Sequence, residues 1–317
     1  MNIDPKLTAL TKRLSRRAGL VLGLVVAVLV WPALEAGAQT VRDEVGRTVE
    51  LPDRPARIIG LTPSLTEVLF GLGLGQRLVG ATTWADYPPA AKALPRVGGY
   101  VSPNAEKIIS LKPDLVLASR EGNPPWLVDQ LTRAGVPVFV TWPQDPKELP
   151  QSLARLGQIC GAAQAGRRLA GRLQDQFDQV AHRLRGAALV PTLMVIGSQP
   201  LVSVGAESFN GRVLTMAAAR NVAAGAPGPW PKLSLEYVLQ ARPQVVVVST
   251  MERGQDLQQS LDFWRQMPGL KDRPDLRVES ISSDLIDRPG PRLGQGLHDL
   301  ARIIHPERFE PDQGRRP

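Results

Sequence analysis

The sequence predicts an α/β protein of two lobes with mainly parallel sheets, joined by one long rigid α-helix. Short apolar runs without polar alternation recur in both halves of the chain, and such runs are typical of strands buried on both faces of a parallel sheet. The segment NAEKIISLKPDLVLAS, residues 104–119, has a counterpart in SLEYVLQARPQVVVVS, residues 234–249. Between them, residues 162–188 contain no proline and carry apolar residues at helical spacing. We therefore expect one lobe on each side of a helical strut.

The first 38 residues have the pattern of an export signal. Basic residues precede an uncharged apolar run, residues 18–34, which ends in the small-residue sequence LEAGA. This order predicts a signal peptide, residues 1–38, that is cleaved after Ala38 during export. A membrane anchor is the alternative, but the run is short against the roughly 20 residues that span a bilayer, and Trp31-Pro32 interrupts it.

The rest of the chain is predicted to form an N-terminal lobe over residues 39–161, a linker helix over residues 162–188 and a C-terminal lobe over residues 189–317. In the two matching segments Asn104 and Ser234 are expected to cap a helix that ends before a proline. The predicted strands are RIIGL, RLVGAT, DLVLAS and PVFVTW in the first lobe, and LMVIGS, PLVSV, QVVVVS and RVESIS in the second.

Charge and cysteine content exclude several classes of protein. The net charge is +8, and five basic and two acidic residues lie within the first 38, so the remainder carries +5. The basic residues are scattered, which does not favour a nucleic-acid partner. Cys160 is the only cysteine, so an internal disulfide and a multi-cysteine metal site are excluded.

Sequence signatures of catalysis are missing. The chain has no Gly-x-Ser-x-Gly elbow, phosphate loop or His-Glu-x-x-His pair, so we expect a protein that is not an enzyme. His298 and His305 are seven residues apart, and we expect a solvated pair rather than a metal site. FGLGLGQ, residues 70–76, follows a helix rather than a strand and is not a dinucleotide fingerprint. SLTE, residues 64–67, predicts the capping box that starts this helix.

Most of the large aromatic residues lie in loops rich in proline or glycine, and several of these loops follow predicted strands. In α/β sheets, ligands usually bind beyond the carboxyl ends of the strands, where such loops lie. Flat, rigid side chains from two lobes suit a large flat or apolar ligand in a cleft between the lobes. Each of Tyr87 and Trp126, taken alone, could instead cover a helix end. The residues are Trp84, Tyr87, Tyr100, Trp126 and Trp230.

The loop SSDLIDRPGPR, residues 282–292, is polar and follows the last predicted strand. Asp284 and Arg288 are four residues apart in it. They could form a local surface ion pair of small value, or they could bind a ligand rimmed with amides or carboxylates. The spacing leaves both interpretations open.

The chain from Arg57 to Ile304 resembles the helical-backbone (class III) substrate-binding proteins of bacterial ABC import systems, and within that family it is most similar to the cobalamin-binding members. The resemblance implies two α/β lobes, a ligand cleft between them and a periplasmic protein that acts as a monomer without a cofactor. The motifs that carry it are LTPSLTEVLFGLG, DYPPAAK, NAEKIISLKPDLVLA, GNPPWLVDQLTRAG, PWPKLSLEYVLQARP and SDLIDRPGPR.

The resemblance also implies roles for individual residues. Glu106 and Glu236 match surface glutamates that contact a permease dimer, which works with its ATPase subunits, although the helix dipole alone also favours an acid in a first turn. The implied ligand is cobalamin or a related corrinoid, and the residues at the implied ligand positions are Trp84, Tyr87, Tyr100, Trp230, Asp284 and Arg288.

The sequence departs from this pattern at Ser119, Val202 and Leu285, which stand where the cobalamin-binding members carry aromatic rings. Two ligands therefore remain as alternatives on the same fold. Haem could be ligated by Tyr100, whereas a ferric siderophore calls for several basic groups, of which Arg288 is the evident one. An α/β hydrolase or metal enzyme is the remaining alternative class.

Overall fold

A computed structural model describes residues 37–249 and 257–309. The predicted signal peptide, except for its last two residues, lies outside the described residues. Within them, no helix is both long enough and apolar enough to cross a bilayer.

The N-terminal lobe is built on a four-stranded parallel sheet with strand order β4-β3-β5-β6. An antiparallel hairpin of β1 and β2 precedes the sheet. The elements are β1 (Ala38–Arg42), β2 (Thr48–Pro52), β3 (Ile58–Gly60), α1 (Pro63–Gly71), β4 (Leu78–Ala81), α2 (Ala105–Ser110), β5 (Leu115–Ser119), α3 (Pro125–Arg133), β6 (Val138–Thr141) and α4 (Leu149–Ile159).

The linker helix α5 (Ala163–Arg183) is shorter than predicted, because it ends five residues before Ala188. Its 21 residues span about 32 Å at 1.5 Å per residue. Leu184 is its C-terminal cap residue, and Gly186 then adopts a left-handed conformation with φ of 69°, which an α-helix cannot continue through. The predicted apolar stripe is confirmed, and its buried members are Leu169, Leu173, Phe177, Val180 and Leu184.

Two glycines let α4 and α5 approach closely. A Cβ atom added to Gly166 would lie 2.8 Å from Gly157 Cα and 3.0 Å from Ala154 O. Since real Cβ atoms do not approach other atoms so closely, the contact requires glycine at this position. Gly166 therefore joins the linker helix to the N-terminal lobe.

The C-terminal lobe contains a five-stranded sheet with strand order β11-β10-β7-β8, in which β9 also pairs with β7. Only β8 runs antiparallel to its neighbour among these described pairings. The elements are β7 (Val190–Ser198), β8 (Leu201–Ser203), α6 (Phe209–Met216), β9 (Ala219–Asn221), α7 (Leu235–Ala241), β10 (Val245–Ser249), α8 (Leu257–Gln266), β11 (Arg277–Ile281), α9 (Ser283–Ile286) and α10 (Leu293–Ile304).

The two matching segments form the same helix-to-strand unit in both lobes, α2–β5 and α7–β10. Asn104 Oδ1 accepts a hydrogen bond from the Lys107 amide at 2.9 Å, and Ser234 Oγ accepts one from the Tyr237 amide at 3.1 Å. Both caps are as predicted. All eight predicted strands are also present, whereas β1, β2 and β9 were not predicted.

Candidate ligand-binding site

Most of the predicted ligand residues lie in loops beyond the ends of strands, and Asp284 lies in the short helix α9. Trp84 and Tyr87 follow β4, and Asp284 and Arg288 follow β11. Trp84 is 44% exposed, and Tyr87 and Trp230 are each 46% exposed. These three rings therefore offer apolar surface to a ligand.

A charged network joins the two lobes. Glu67 of α1 accepts two hydrogen bonds from Arg292, from Nε at 2.7 Å and from Nη2 at 2.6 Å. The same carboxylate lies 3.8 Å from Arg288 Nη1, and Arg288 Nη2 lies 2.6 Å from Asp284 Oδ1. The ion pair between Asp284 and Arg288, which the spacing left open, is therefore formed. It belongs to a larger network rather than standing alone on the surface.

Tyr87 is attached to this network through its ring. The guanidinium carbon of Arg292 lies 4.0 Å from the ring centroid, a distance at which a cation and an aromatic face attract each other. Burial alone would lower the pKa of Arg292, but hydrogen bonds and charge from Glu67 outweigh it and raise the pKa above its usual value. Arg292 therefore remains protonated and positively charged beneath the Tyr87 ring.

The Tyr100 loop is held by a buried asparagine in the N-terminal lobe. Asn123 Nδ2 donates to the carbonyl oxygens of Tyr100 at 2.8 Å and Leu61 at 3.1 Å, and its Oδ1 accepts from the Ser119 amide at 2.8 Å. A Cβ atom at Gly122 would lie 2.9 Å from Tyr100 Cδ2. The ring therefore packs directly on the Gly122 backbone.

Hydrogen bonds hold the loop that carries Trp230 at the residue before it and at the residue after it. The Gly205 amide donates to Pro229 O at 2.9 Å, and the Ser203 amide donates to Pro231 O at 3.0 Å. Val202 and Lys232 form a further isolated bridge. Both flanks of Trp230 are thus fixed to the region of β8, which restricts where the indole can lie.

Asp287, which precedes Arg288 in the loop after α9, connects this loop to α6 and to the end of β10. Its carboxylate accepts hydrogen bonds of 2.5 Å from Asn210 Nδ2 and from Ser249 Oγ. The residue keeps some solvent contact, but protein atoms surround the carboxyl group, and this burial raises its pKa to about 6 against the pull of both hydrogen bonds and of Arg288.

Glu106 and Glu236 occupy the same position in the two lobes. Each is the second residue of its helix, α2 or α7, and each side chain is exposed. Glu236 Oε1 accepts a weak hydrogen bond from Gln240 at 3.4 Å. Both carboxylates are therefore accessible to a partner.

The predicted capping box of α1 is wrong. Thr62 caps this helix by accepting a hydrogen bond from the Leu65 amide at 3.2 Å, and the Glu67 side chain pairs with Arg292 instead.

Four residues that support the candidate site were not predicted from the sequence to belong to it. The motif SDLIDRPGPR was a signal that could have drawn attention to its last residue. The missed residues are Glu67, Asn123, Asp287 and Arg292.

The two C-terminal histidines do not form a shared site. The expectation that both are solvated is wrong for His305, which is 2% exposed and places Nε2 3.2 Å from Ala218 O. Among residues 37–249 and 257–309, no group of three or more possible metal ligands is present. A groove of about 370 Å³ lies between α5 and α10, and its lining includes none of the six predicted ligand residues.

Comparisons with known proteins identify the family. Residues 58–274 match the model of a family described as periplasmic binding protein. The vitamin B12-binding protein of Photorhabdus laumondii is 33% identical over 254 residues, which cover 79% of this chain and 88% of that protein.

Solved structures have the same fold. The periplasmic vitamin B12 binding protein of Vibrio cholerae superimposes with a TM-score of 0.72 at 24% identity, covering 82% of this chain and 100% of that one. The periplasmic heme-binding protein of Roseiflexus sp. RS-1 gives a TM-score of 0.71 at 29% identity, covering 80% and 98%. The predicted two-lobe fold is thereby confirmed, and the chain belongs to the periplasmic binding protein family.

Proposed function

We propose that this protein captures cobalamin or a related corrinoid outside the cytoplasm and delivers it to an ABC importer. The observation that carries the proposal is the likeness to a vitamin B12-binding protein over 88% of that protein's length. In this proposal residues 1–38 are a signal peptide, the exported protein is a periplasmic monomer, and it releases its ligand chemically unchanged.

The chemistry of the candidate site suits such a ligand. Trp84, Tyr87, Tyr100 and Trp230 would contact the flat macrocycle and its apolar edges. Asp284 and Arg288 pair with each other at 2.6 Å, yet a carboxylate and a guanidinium retain further acceptors and donors for the amide groups around a corrin ring.

Delivery would use the two equivalent glutamates. Glu106 and Glu236 lie at matching positions of matching helices, so a pseudo-symmetric protein presents one carboxylate from each lobe. A two-fold symmetric permease dimer with basic residues near its axis would meet both at once. We propose this dimer, together with its ATPase subunits, as the partner.

Haem is the second candidate, because a heme-binding protein is 29% identical over 80% of this chain. Tyr100 is then the residue available for iron ligation. A ferric siderophore fits less well, since Arg288 and Arg292 already face the carboxylates of Asp284 and Glu67. These arginines offer little net positive charge to an anionic chelate.

Calorimetric titration of the mature protein, residues 39–317, tests the ligand. Cyanocobalamin, haem and a ferric siderophore would be added separately under identical conditions. One-to-one binding of cyanocobalamin alone is the expected result. Binding of haem or the siderophore without binding of cyanocobalamin would show that the fold was assigned correctly and the cargo was not.

A further inference from the structure

One buried carboxylate in the N-terminal lobe, that of Glu67, pairs with two arginines of the C-terminal lobe. Glu67 Oε1 lies 2.6 Å from Arg292 Nη2 and 3.8 Å from Arg288 Nη1, and Oε2 lies 2.7 Å from Arg292 Nε. Its side chain is only 4% exposed. Glu67 therefore has little surface to offer to a ligand. It contacts Arg288 and Arg292, whose side chains are more exposed.

Both arginines belong to the candidate ligand site or contact a residue of it. Arg292 lies beneath the ring of Tyr87, 4.0 Å from its centroid, and Arg288 is itself a predicted ligand residue. The contacts run from Tyr87 through Arg292 and Glu67 to Arg288, and they cross between the lobes at each step. A displacement of Glu67 would move both ends of this series.

The loop that carries the arginines lies directly against the start of α1. A Cβ atom at Gly290 would be 3.3 Å from Ser64 Cβ. Pro289 shares a small space with Ser64, Ser119 and Thr141 of the N-terminal lobe. The charged network therefore sits at a packed boundary, where partial desolvation strengthens an ion pair that is well hydrogen-bonded and makes an unpaired charge costly.

We propose that Glu67 is a positioning residue: it holds the Tyr87 ring and the Arg288 guanidinium at a fixed separation and so links the two halves of the ligand site. This inference rests on the proposed function only for the identity of the ligand. The positioning itself is a property of the protein without ligand.

Hydrogen–deuterium exchange of the ligand-free exported protein tests the positioning. Glu67→Gln keeps the shape of the side chain but removes its charge, and we expect faster exchange in residues 83–88 and in residues 284–292, which belong to different lobes. The matched control is Asp43→Asn, because Asp43 is another buried carboxylate of the same lobe, 2.8 Å from Arg47 Nη2. Unchanged exchange in either loop of Glu67→Gln, or equal changes in the control, would overturn the proposal.

Binding of cyanocobalamin provides a second test. Glu67→Gln is expected to weaken binding about tenfold, and in an Arg288→Gln background the same substitution should cost about threefold or less, since Glu67 acts partly through Arg288. Independent effects that multiply fully would contradict the positioning role. If the unmodified protein does not bind cyanocobalamin, the proposed function fails, while the exchange experiment still decides this inference.

Discussion

Ser249 Oγ donates a 2.5 Å hydrogen bond to the carboxylate of Asp287, which joins the end of β10 to the loop that carries Arg288. Ser119, the counterpart of Ser249 in the N-terminal lobe, donates its amide to Asn123, which in turn holds Tyr100. The C-terminal lobe thus uses a serine side chain at the end of β10, and the N-terminal lobe a serine backbone amide at the end of β5, to hold a loop that carries a predicted ligand residue. The two strand-end residues are both serine, but the partner is an aspartate in one lobe and an asparagine in the other.

Asp287 should make the protein less stable as the pH rises. Its pKa of about 6 in the folded protein is above the ordinary value of 3.8, so between pH 4 and pH 6 the folded state holds more protons than the unfolded state. The free energy of unfolding contributed by this residue therefore falls by on the order of 3 kcal/mol in all between about pH 3 and pH 7, and most of this loss occurs between pH 4 and pH 6.

Chemical denaturation at several pH values checks this for Asp287→Asn. Relative to the unmodified protein, the variant should gain stability from pH 4 to pH 6, because it lacks the titration. Asp129→Asn changes an exposed aspartate and should show no such gain. A difference between Asp287→Asn and the unmodified protein that does not vary with pH would contradict the raised pKa.

Trp230→Ala should weaken ligand binding by about 2 kcal/mol or more, as removal of other aromatic anchors does. Its loop is fixed on both sides of the ring, so the indole is held in place before the ligand arrives. Trp126→Ala is the control, since Trp126 is a similarly exposed tryptophan, at the start of α3, that is not among the six predicted ligand residues. Calorimetry that gives equal affinities for the Trp230 variant and the unmodified protein would remove Trp230 from the site.

Charge reversal at both glutamates that we propose as docking residues, Glu106 and Glu236, should stop import without changing ligand affinity. In the variant Glu106→Arg with Glu236→Arg, repulsion replaces attraction at both proposed permease contacts, and uptake of labelled ligand should fall to the background level. Glu50→Arg, at another exposed glutamate, should leave uptake intact. A large loss of ligand affinity in the double variant would instead point to misfolding or a role in the ligand site.

Two glycines of the linker helix should respond to alanine in opposite ways. Gly166→Ala places a methyl group 2.8 Å from Gly157 Cα and should lower the free energy of unfolding by about 1–3 kcal/mol. Gly171→Ala meets no atom within 4 Å and should raise it by about 0.5–1 kcal/mol, because alanine favours the helix. Denaturation curves for the two variants measure both effects, and a Gly166 variant as stable as the Gly171 variant would contradict the close helix contact.

Local patterns were sufficient for most of the fold. Continuous apolar runs predicted all eight of the main strands, and the spacing of apolar residues predicted the buried face of α5. The hairpin strands β1 and β2 were missed because they contain no continuous apolar run and almost all of their residues are exposed or half-buried. Strand β9 was missed because only one of its three residues, Ala219, is apolar. Patterns of this kind work because the apolar residues of a short segment already indicate that it is buried, whichever distant strand it pairs with.

The same local reasoning misread Glu67. Ser64 and Glu67 have the spacing of a capping box, yet the carboxylate pairs with Arg292, 225 positions away. His305 was expected in solvent for the same reason, whereas packing buries it against Ala218. The sequence by itself determined the strands, the caps and the equivalent positions of Glu106 and Glu236, because each of these leaves a pattern within a short segment of the chain. Only the tertiary structure decided which charges meet between the lobes, because a buried charge is stabilised by whichever partner packing places beside it.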